Sequence, residues 1–187
     1  PYIQNYRRIS FNKAMRIPNN EIVAVGKTYT GLEGLSACFY RFSATGDTLA
    51  TAYYPLDASS PYQGGAEAYD LALMDNGNIL ITCQLSIGTA TILEVDPMGN
   101  IVNRIDIPGY FHAFNSCLTI GSNPEDDSYS IFGSFGEVYL DICIMAYRLH
   151  NNELTHVFNV DPTVVKWVHS TLVHEDGIFI CGLSSAW

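Results

Sequence analysis

Short apolar runs built from strand-forming residues recur along the chain. Residues 22–25, 79–82 and 92–95 are such runs, rich in Ile, Val and Leu, and runs of this kind favour β-strands. Apolar residues at helical spacing are nearly absent. The best helix candidate, 66–74, continues into an Asp-Asn-Gly turn, which favours a strand there too. The pattern therefore predicts an all-β fold.

Turn sequences separate these runs at short intervals. Asp-Asn-Gly-Asn at 75–78, Asp-Pro-Met-Gly-Asn at 96–100 and Asn-Asn at 151–152 are the clearest examples. Asn and Gly tolerate positive φ, so they suit the tight turns of β-hairpins. Many short strands joined by such turns are typical of a sandwich, a barrel or a propeller.

An internal repeat distinguishes among these three architectures. A first unit, two strands around a turn, occurs four times at steps of 57, 50 and 49 residues, and its copies end at Gly26, Cys83, Gly133 and Gly182. A second unit follows the first three copies at steps of 53 and 54 residues, with equivalent positions at Phe42, Val95 and Leu149. Each period thus holds two hairpins, or four strands, which is one propeller blade.

The repeat divides the chain into units of approximately 16–67, 68–112, 113–164 and 165–187. The sequence thus predicts an incomplete β-propeller of about three and a half four-stranded blades. Closing a propeller takes about four to eight blades, so we expect the remainder of a longer polypeptide, or another chain, to complete the ring. The start at Pro1 and the end soon after an apolar run indicate a processed product or a fragment.

Two of the repeated segments resemble a known group of proteins. Gly-Asn-Ile-Leu at 77–80 and Asp-Pro-Met-Gly-Asn at 96–100 are similar to the repeats of secreted and cell-surface β-propeller proteins of Bacteroidetes-type bacteria, which the type IX system often exports. The resemblance covers about three-quarters of the chain, although the Trp expected after Gly46 and Gly99 is missing and the third copy lacks its Gly. It implies an extracellular or cell-surface location, with the periplasm as an alternative.

Composition and charge exclude several classes of protein. With 19 acidic and 9 basic residues, the formal net charge is −10, whereas nucleic-acid binding through phosphates needs a basic surface. Apolar residues make up 48% of the chain, which is enough to bury a core and excludes intrinsic disorder. No apolar run reaches the roughly 18 residues of a membrane-spanning helix, so no membrane span is predicted.

Cysteine spacing and sequence motifs give little sign of a cofactor. The five cysteines are far apart, with no C-x-x-C pair, so we expect small buried apolar side chains rather than a metal or redox site. The sequence has no phosphate-binding loop, dinucleotide-binding glycines or nucleophile elbow. No cofactor is therefore predicted.

One histidine is a candidate for catalysis. His112 lies just before a segment typical of an inner strand, and inner strands line the central channel of a propeller. Arylsulfotransferase-like propellers use histidines near such positions, and this resemblance implies an enzyme with a central-channel site near His112. The alternative is a loop histidine without a catalytic role.

Three adjacent carboxylates are the candidate for a metal site. Glu125, Asp126 and Asp127 repel one another unless water or a cation screens them, and Ca²⁺ prefers such oxygen ligands. The chain has no D-x-D-x-D-G loop with a distal Glu. Turn formation by Asp side chains is the alternative interpretation, and we predict no metal site elsewhere.

Aromatic residues in or next to the longer connections are the candidate ligand-binding residues. Exposed on an acidic, Lys-poor surface, they would suit carbohydrate or protein contacts, and they are Tyr53, Tyr54, Tyr62 and Tyr110. The alternative is that these residues only pack the loops onto the blades. The leading expectation is a non-enzymatic binding or scaffold module outside the cell. A structural subunit of a large assembly is a further alternative, and it predicts apolar patches on the first and last blades.

Overall fold

The computed structural model describes residues 8–30, 34–55, 65–86, 88–107, 110–111, 118–123, 128–136, 143–160, 167–174 and 177–183. Within these ranges the chain is built from β-strands, with one short 3-10 turn at Pro18–Asn20. None of these residues forms a helix that could cross a membrane. The predicted all-β fold is confirmed.

The strands form consecutive antiparallel sheets in which the order in space follows the order in sequence. Sheet 1 contains β1 (Arg8–Arg16), β2 (Ile22–Thr30), β3 (Gly34–Phe42) and β4 (Thr48–Pro55). Sheet 2 contains β5 (Glu67–Leu73), β6 (Ile79–Ser86), β7 (Thr89–Val95) and β8 (Ile101–Ile107).

Sheet 3 repeats this arrangement with one addition. It contains β10 (Thr119–Asn123), β11 (Ser128–Gly136), β12 (Cys143–His150) and β13 (Glu153–Val160) in order, and a short β9 (Tyr110–Phe111) pairs with the far end of β11. A hairpin of β14 (Trp167–His174) and β15 (Gly177–Leu183) follows. Three four-stranded sheets and a hairpin fit a propeller-like arrangement.

Backbone hydrogen bonds reproduce the predicted repeat. Ile17 N donates to Glu21 O, and Met74 N donates to Asn78 O at the equivalent turn of sheet 2. In the second turn of each sheet, Gly46 N donates to Ser43 O and Gly99 N donates to Asp96 O. The glycines adopt φ of 91° and 86° there, a region that side chains disfavour. The predicted turn residues therefore close the same hairpins in both sheets.

The chain divides into two compact units, 1–87 with 91–104, and 88–90 with 105–187. In the first unit, one face of sheet 1 packs against sheet 2. We call this face the front of sheet 1, and it carries Val23, Val25, Ala37, Phe39 and Tyr54. Alternation along the strands sends every second side chain to the opposite face, which we call the back of sheet 1 and which carries Phe11, Ile22, Tyr40, Phe42 and Tyr53.

The core of the first unit is apolar and closely packed. Val23, Val25 and Phe39 are fully buried against side chains of sheet 2 that include Ile81 and Leu93. Cross-strand pairing aligns Val25 with Phe39, so neighbouring strands place these side chains on one face. Burial of this apolar surface is the main force that holds sheets 1 and 2 together.

First strands of successive sheets lie next to each other. In the first unit β1 contacts β5, and in the second unit β10 contacts β14. The first strands of propeller blades also converge, because they line the centre of the ring. Each unit thus has the local strand arrangement that the repeat predicts.

The bounds of the sheets differ in two places from the predicted repeat units. Sheet 1 begins at Arg8 and ends at Pro55, so β1 precedes the predicted unit 16–67. No side chain of β1 is fully buried. Its apolar and polar residues alternate only over 8–12, before the bulge at Asn12, which is too short a pattern to reveal the strand. Sheets 2 and 3 and the last hairpin lie at about 68–112, 113–164 and 165–187, except that β9 pairs with sheet 3.

Cysteines follow the expectation in part. Cys38 and Cys83 are buried, as predicted for small apolar side chains, whereas Cys181 is exposed on β15. The expectation for Cys181 is therefore wrong, because its side of the last hairpin carries no described covering sheet. The side chains of Cys117 and Cys143 lie outside the described residues.

Candidate functional site

Charged and polar side chains gather where β1 and β2 meet β5. We call this group the inner-strand cluster, and it contains Asn12, Lys13, Lys27, Glu67 and Asp70. The pairing of β1 with β2 shifts register between Phe11 and Lys13, so Asn12 is the extra residue of a β-bulge. Bulges re-aim side chains, and this one brings Asn12 to β5.

Glu67 is the hub of one half of the cluster. Its Oε1 lies 3.0 Å from Lys27 Nζ and accepts a hydrogen bond of 2.8 Å from Asn12 Nδ2. The same Asn12 Nδ2 donates to the Ala68 carbonyl at 2.8 Å. Asn12 thereby joins β1 to both a side chain and the backbone of β5.

Asp70 anchors the other half. Its Oδ1 lies 3.3 Å from Lys13 Nζ and accepts a hydrogen bond from its neighbour Leu71 N at 2.9 Å. The Asp70 side chain is only 10% exposed, and a carboxylate in such a place needs a nearby cation or donors. Lys13 supplies the cation from a side chain that is still half exposed.

The cluster is suited to recognition rather than to covalent chemistry. Two of the three lysines in the chain lie in it, one on β1 and one on β2, and each forms an ion pair with a carboxylate of β5. Such a row of donors and acceptors can bind the hydroxyl groups of a sugar or the polar atoms of a protein. Within the described part of the chain, no three His, Cys, Asp or Glu residues lie close enough to hold a metal ion.

Aromatic rings cover part of the back of sheet 1. Tyr40 is at their centre: its ring stacks on Phe42 with centroids 5.8 Å apart and meets Phe11 edge-on at 5.4 Å. The Tyr40 and Tyr53 hydroxyl oxygens lie 2.7 Å apart. We call Phe11, Tyr40, Phe42 and Tyr53 the back aromatic cluster.

Two predicted ligand-binding tyrosines lie on opposite faces of β4. Tyr53 belongs to the half-exposed back aromatic cluster. Tyr54 was expected to be exposed, and this expectation is wrong: its side chain is 4% exposed in the core, and its hydroxyl donates to the Gly99 carbonyl at 2.9 Å. Burial is the largest cause that raises the pKa of Tyr54 well above its ordinary value. Tyr54 is therefore a packing residue.

The other predicted site residues lie outside what the structure describes. These are Tyr62, the catalytic candidate His112 and the acidic group Glu125, Asp126 and Asp127. For Tyr110 the structure gives only the backbone pairing with Gly136. Their roles stay predictions.

Sequence reasoning missed the inner-strand cluster. Asn12 and Glu67 are 55 residues apart, and only the contact between two sheets brings them together. One signal was present: Lys13 and Lys27 lie inside strands of a chain that is poor in lysine, and a charged residue in a strand often has a partner on the next element.

Comparisons with known proteins find a solved structure of similar fold but no matching family. No protein-family model matches the sequence, and no curated protein matches it. Among solved structures, a protein of unknown function from Bacteroides caccae matches with a TM-score of 0.55 at 12% sequence identity. The match covers 93% of this chain and 56% of that one, so this chain spans little more than half the length of its structural neighbour.

Proposed function

We propose that this chain is part of a β-propeller that binds or scaffolds a protein or glycan outside the cell, without catalysing a reaction. In this proposal sheets 1, 2 and 3 are complete blades and the last hairpin is the first half of a fourth. The remainder of a longer polypeptide, or another chain, completes the ring. No cofactor is needed.

One observation carries this proposal: ion pairs join the first two strands of sheet 1 to the first strand of sheet 2. Lys13, Asp70 and Glu67 lie on β1 and β5, the strands that would line the centre of the ring, and Lys27 reaches Glu67 from the adjacent β2. Ligands of propellers commonly bind at this centre, where loops and strand edges of several blades meet. A polar surface there, in an acidic chain, supports binding of a neutral or zwitterionic polar ligand.

Location rests on the resemblance of the turn segments to secreted and cell-surface repeat proteins. We propose an extracellular or cell-surface site of action, with export by a type IX system. The structural neighbour from Bacteroides caccae is of unknown function, so it supports the fold and leaves the location to experiment. Fractionation of the source cells, followed by detection of the protein in medium, envelope and cytoplasm, tests this part.

A printed array of polysaccharide and oligosaccharide glycans tests the binding function. We expect the protein to bind at least one glycan class, and the Lys13→Gln/Lys27→Gln double variant to lose most of that signal. Arg104→Gln on the outermost strand β8 is the matched control, since it removes an exposed cation far along the sheet from β5. Equal binding by the wild type and the double variant would contradict a site at the inner strands.

The alternative is an arylsulfotransferase-like enzyme with a site near His112. One substitution, His112→Ala, distinguishes this enzyme from a binding module. A His112→Ala variant keeps glycan or protein binding if the chain is a binding module. An enzyme of this class would transfer the sulfuryl group of an aryl sulfate such as 4-nitrophenyl sulfate to a phenol acceptor, and His112→Ala would abolish that transfer. Release of 4-nitrophenol by the wild type alone would favour the enzyme.

A further inference from the structure

Equivalent isoleucines of the first two sheets have opposite environments. Ile22 of β2 and Ile79 of β6 occupy the same repeat position. Ile79 is 0% exposed because it packs towards the front of sheet 1, whereas Ile22, on the back of sheet 1, is 42% exposed. In sheet 2, the face that corresponds to the back of sheet 1 is covered by the preceding sheet.

Equivalent turns show the same difference. A Cβ on Gly99 would lie 2.7 Å from Ala52 Cβ and 2.9 Å from Phe39 Cδ1, because the front of sheet 1 presses on this turn. Sheet 1 also binds the turn through Tyr54, whose hydroxyl reaches Gly99 O, and Arg41, whose Nη1 donates to Pro97 O at 3.2 Å. At the equivalent Gly46, no described atom lies within 4 Å of such a Cβ.

The last hairpin has the complementary surface exposed. Phe179 and Cys181 of β15 occupy the repeat positions of Val23 and Val25, which are fully buried on the front of sheet 1. Phe179 is 57% exposed, and Cys181 is exposed as well. The last hairpin thus exposes its front at Phe179 and Cys181, and sheet 1 exposes its back at Ile22. No described residue covers either of these positions fully.

From these equivalences we propose that the back of sheet 1 is an interface between blades, and that it binds the front of a further four-stranded sheet of the same polypeptide. The inference rests on the proposed propeller and names the surface by which it is completed. The further sheet places an apolar side chain, equivalent to Phe39, against Gly46. It also places a donor equivalent to the Tyr54 hydroxyl at the carbonyl of Gly46.

A sheet of the same polypeptide fits better than a second copy of this chain. The front of sheet 1 combines small aliphatic side chains with the rings of Phe39 and Tyr54. The back presents Phe42, Ile22 and the exposed ring of Phe11 as its counterpart. Among the described side chains, the complementary front is exposed at Phe179 and Cys181 of β15, which belong to a hairpin of two strands rather than to a sheet of four. The solved neighbour of the same fold is almost twice as long as the region matched here.

The test uses the intact protein purified from its source and its recombinant full-length variants. Ile22→Asp places a carboxylate in the proposed interface, and Val102→Asp places one at a somewhat more exposed position on the outermost strand β8. We expect Ile22→Asp to lower the Tm by more than about 5 °C and Val102→Asp to leave it nearly unchanged. Thiol labelling followed by peptide mass spectrometry gives a second measurement, because an Ile22→Cys thiol in the interface reacts at least about tenfold more slowly than a Val102→Cys thiol.

Three results would overturn the inference. One is a native polypeptide of 20.7 kDa, the mass of this chain alone, that sediments as a monomer. The second is a dimer of that polypeptide which Ile22→Asp dissociates, since it would assign the surface to a second copy. The third is equal behaviour of the variants at 22 and 102 in a longer protein. Loss of glycan binding in the Lys13→Gln/Lys27→Gln variant is measured independently, so the binding function can survive each of these results.

Discussion

Sheets 1 and 2 have the same turns and the same strand order, yet their equivalent surfaces differ. The back of sheet 1 is aromatic and partly exposed, whereas the corresponding face of sheet 2, with Ile79, Ile81 and Leu93, is completely buried. Equivalent backbone hydrogen bonds close the hairpins of both sheets. A repeat thus specifies the turns and strand order within a sheet, whereas the burial of its faces depends on the neighbouring sheet.

The side chains at equivalent repeat positions differ with the surroundings of each sheet. Ile81 and Leu93 of sheet 2 are replaced at the equivalent positions of sheet 1 by Ala24 and Tyr40. Tyr40 buries itself among Phe11, Phe42 and Tyr53 and keeps its hydroxyl next to another hydroxyl. Rings with a polar end suit a surface that meets both water and another protein surface.

The largest expected effect comes from truncating the two equivalent isoleucines. Ile79→Ala should lower the free energy of unfolding by about 2–5 kcal/mol, because it opens a cavity in a closed core. Ile22→Ala should cost less than about 1 kcal/mol in this chain, since the side chain is 42% exposed. Urea denaturation of both variants measures the difference, and equal losses would show that the back of sheet 1 is already packed.

Gly99→Ala and Gly46→Ala compare the packing of the equivalent turns in sheets 2 and 1. Both variants place a side chain at positive φ, which costs about 1–2 kcal/mol. Only Gly99→Ala also collides with Ala52 and Phe39, and such overpacking costs about 1–3 kcal/mol more. Thermal unfolding monitored by circular dichroism should therefore show a clearly lower Tm for Gly99→Ala, and an equal Tm for the two variants would argue against close packing of this turn.

The local pattern of the sequence predicted most of the fold. Asn and Gly at the turns and β-branched residues between them specify hairpins through short-range geometry, and the repeat specifies their order. β1 was missed because its apolar and polar residues alternate only over 8–12, and the bulge at Asn12 then interrupts the pattern. The pairing of one sheet with the next depends on contacts between distant segments, which a single sequence does not record.

Site residues were harder to predict, and β4 shows why. Tyr53 and Tyr54 are adjacent and chemically identical, and alternation requires only that they face opposite sides. The Gly99 carbonyl, 45 residues away, decides which of them is buried. The inner-strand cluster has the same origin, because Asn12 finds Glu67 only through the bulge in β1 and the contact with β5.

Removing one tyrosine hydroxyl at a time tests which face of β4 is buried. Tyr54→Phe leaves the Gly99 carbonyl without its donor and should cost about 1 kcal/mol at pH 7. Tyr53→Phe, on the half-exposed back, should cost less because water can replace the lost hydroxyl. Urea denaturation at pH 7 compares the two variants, and a larger loss in Tyr53→Phe would contradict the assignment of faces.

Alkaline pH gives Tyr54 a second signature. Burial first, with smaller contributions from nearby charges, raises its pKa above the ordinary value of 10.0. The folded state therefore keeps the proton where the unfolded chain loses it, and the stability that the neutral hydroxyl contributes is lost as the pH rises beyond about 10. The advantage of the wild type over Tyr54→Phe should shrink between pH 10 and pH 12, and a constant difference would contradict the burial of this hydroxyl.

The smallest expected effect lies in the second turn of each sheet, where a carboxylate in sheet 2 replaces a hydroxyl in sheet 1. Asp96 Oδ1 accepts hydrogen bonds from Met98 N and Asn100 N, and Ser43 Oγ accepts the equivalent pair in sheet 1. The side chain of Asn100 is the largest cause that lowers the pKa of Asp96 below 3.8, and backbone donors add to it.

Asp96→Ser copies the turn of sheet 1 into sheet 2 and should remove this charge while keeping the backbone hydrogen bonds. Because the pKa of Asp96 is lowered on folding, its contribution is complete above pH 3.8 and is lost as the pH falls through the folded-state value. The wild type should therefore be slightly more stable than Asp96→Ser at pH 7, and the two should converge towards pH 2. Urea denaturation from pH 7 to pH 2 measures this, with Ser43→Ala as the control whose loss stays constant over the same range. A constant gap between the wild type and Asp96→Ser would show that geometry, rather than charge, distinguishes the two turns.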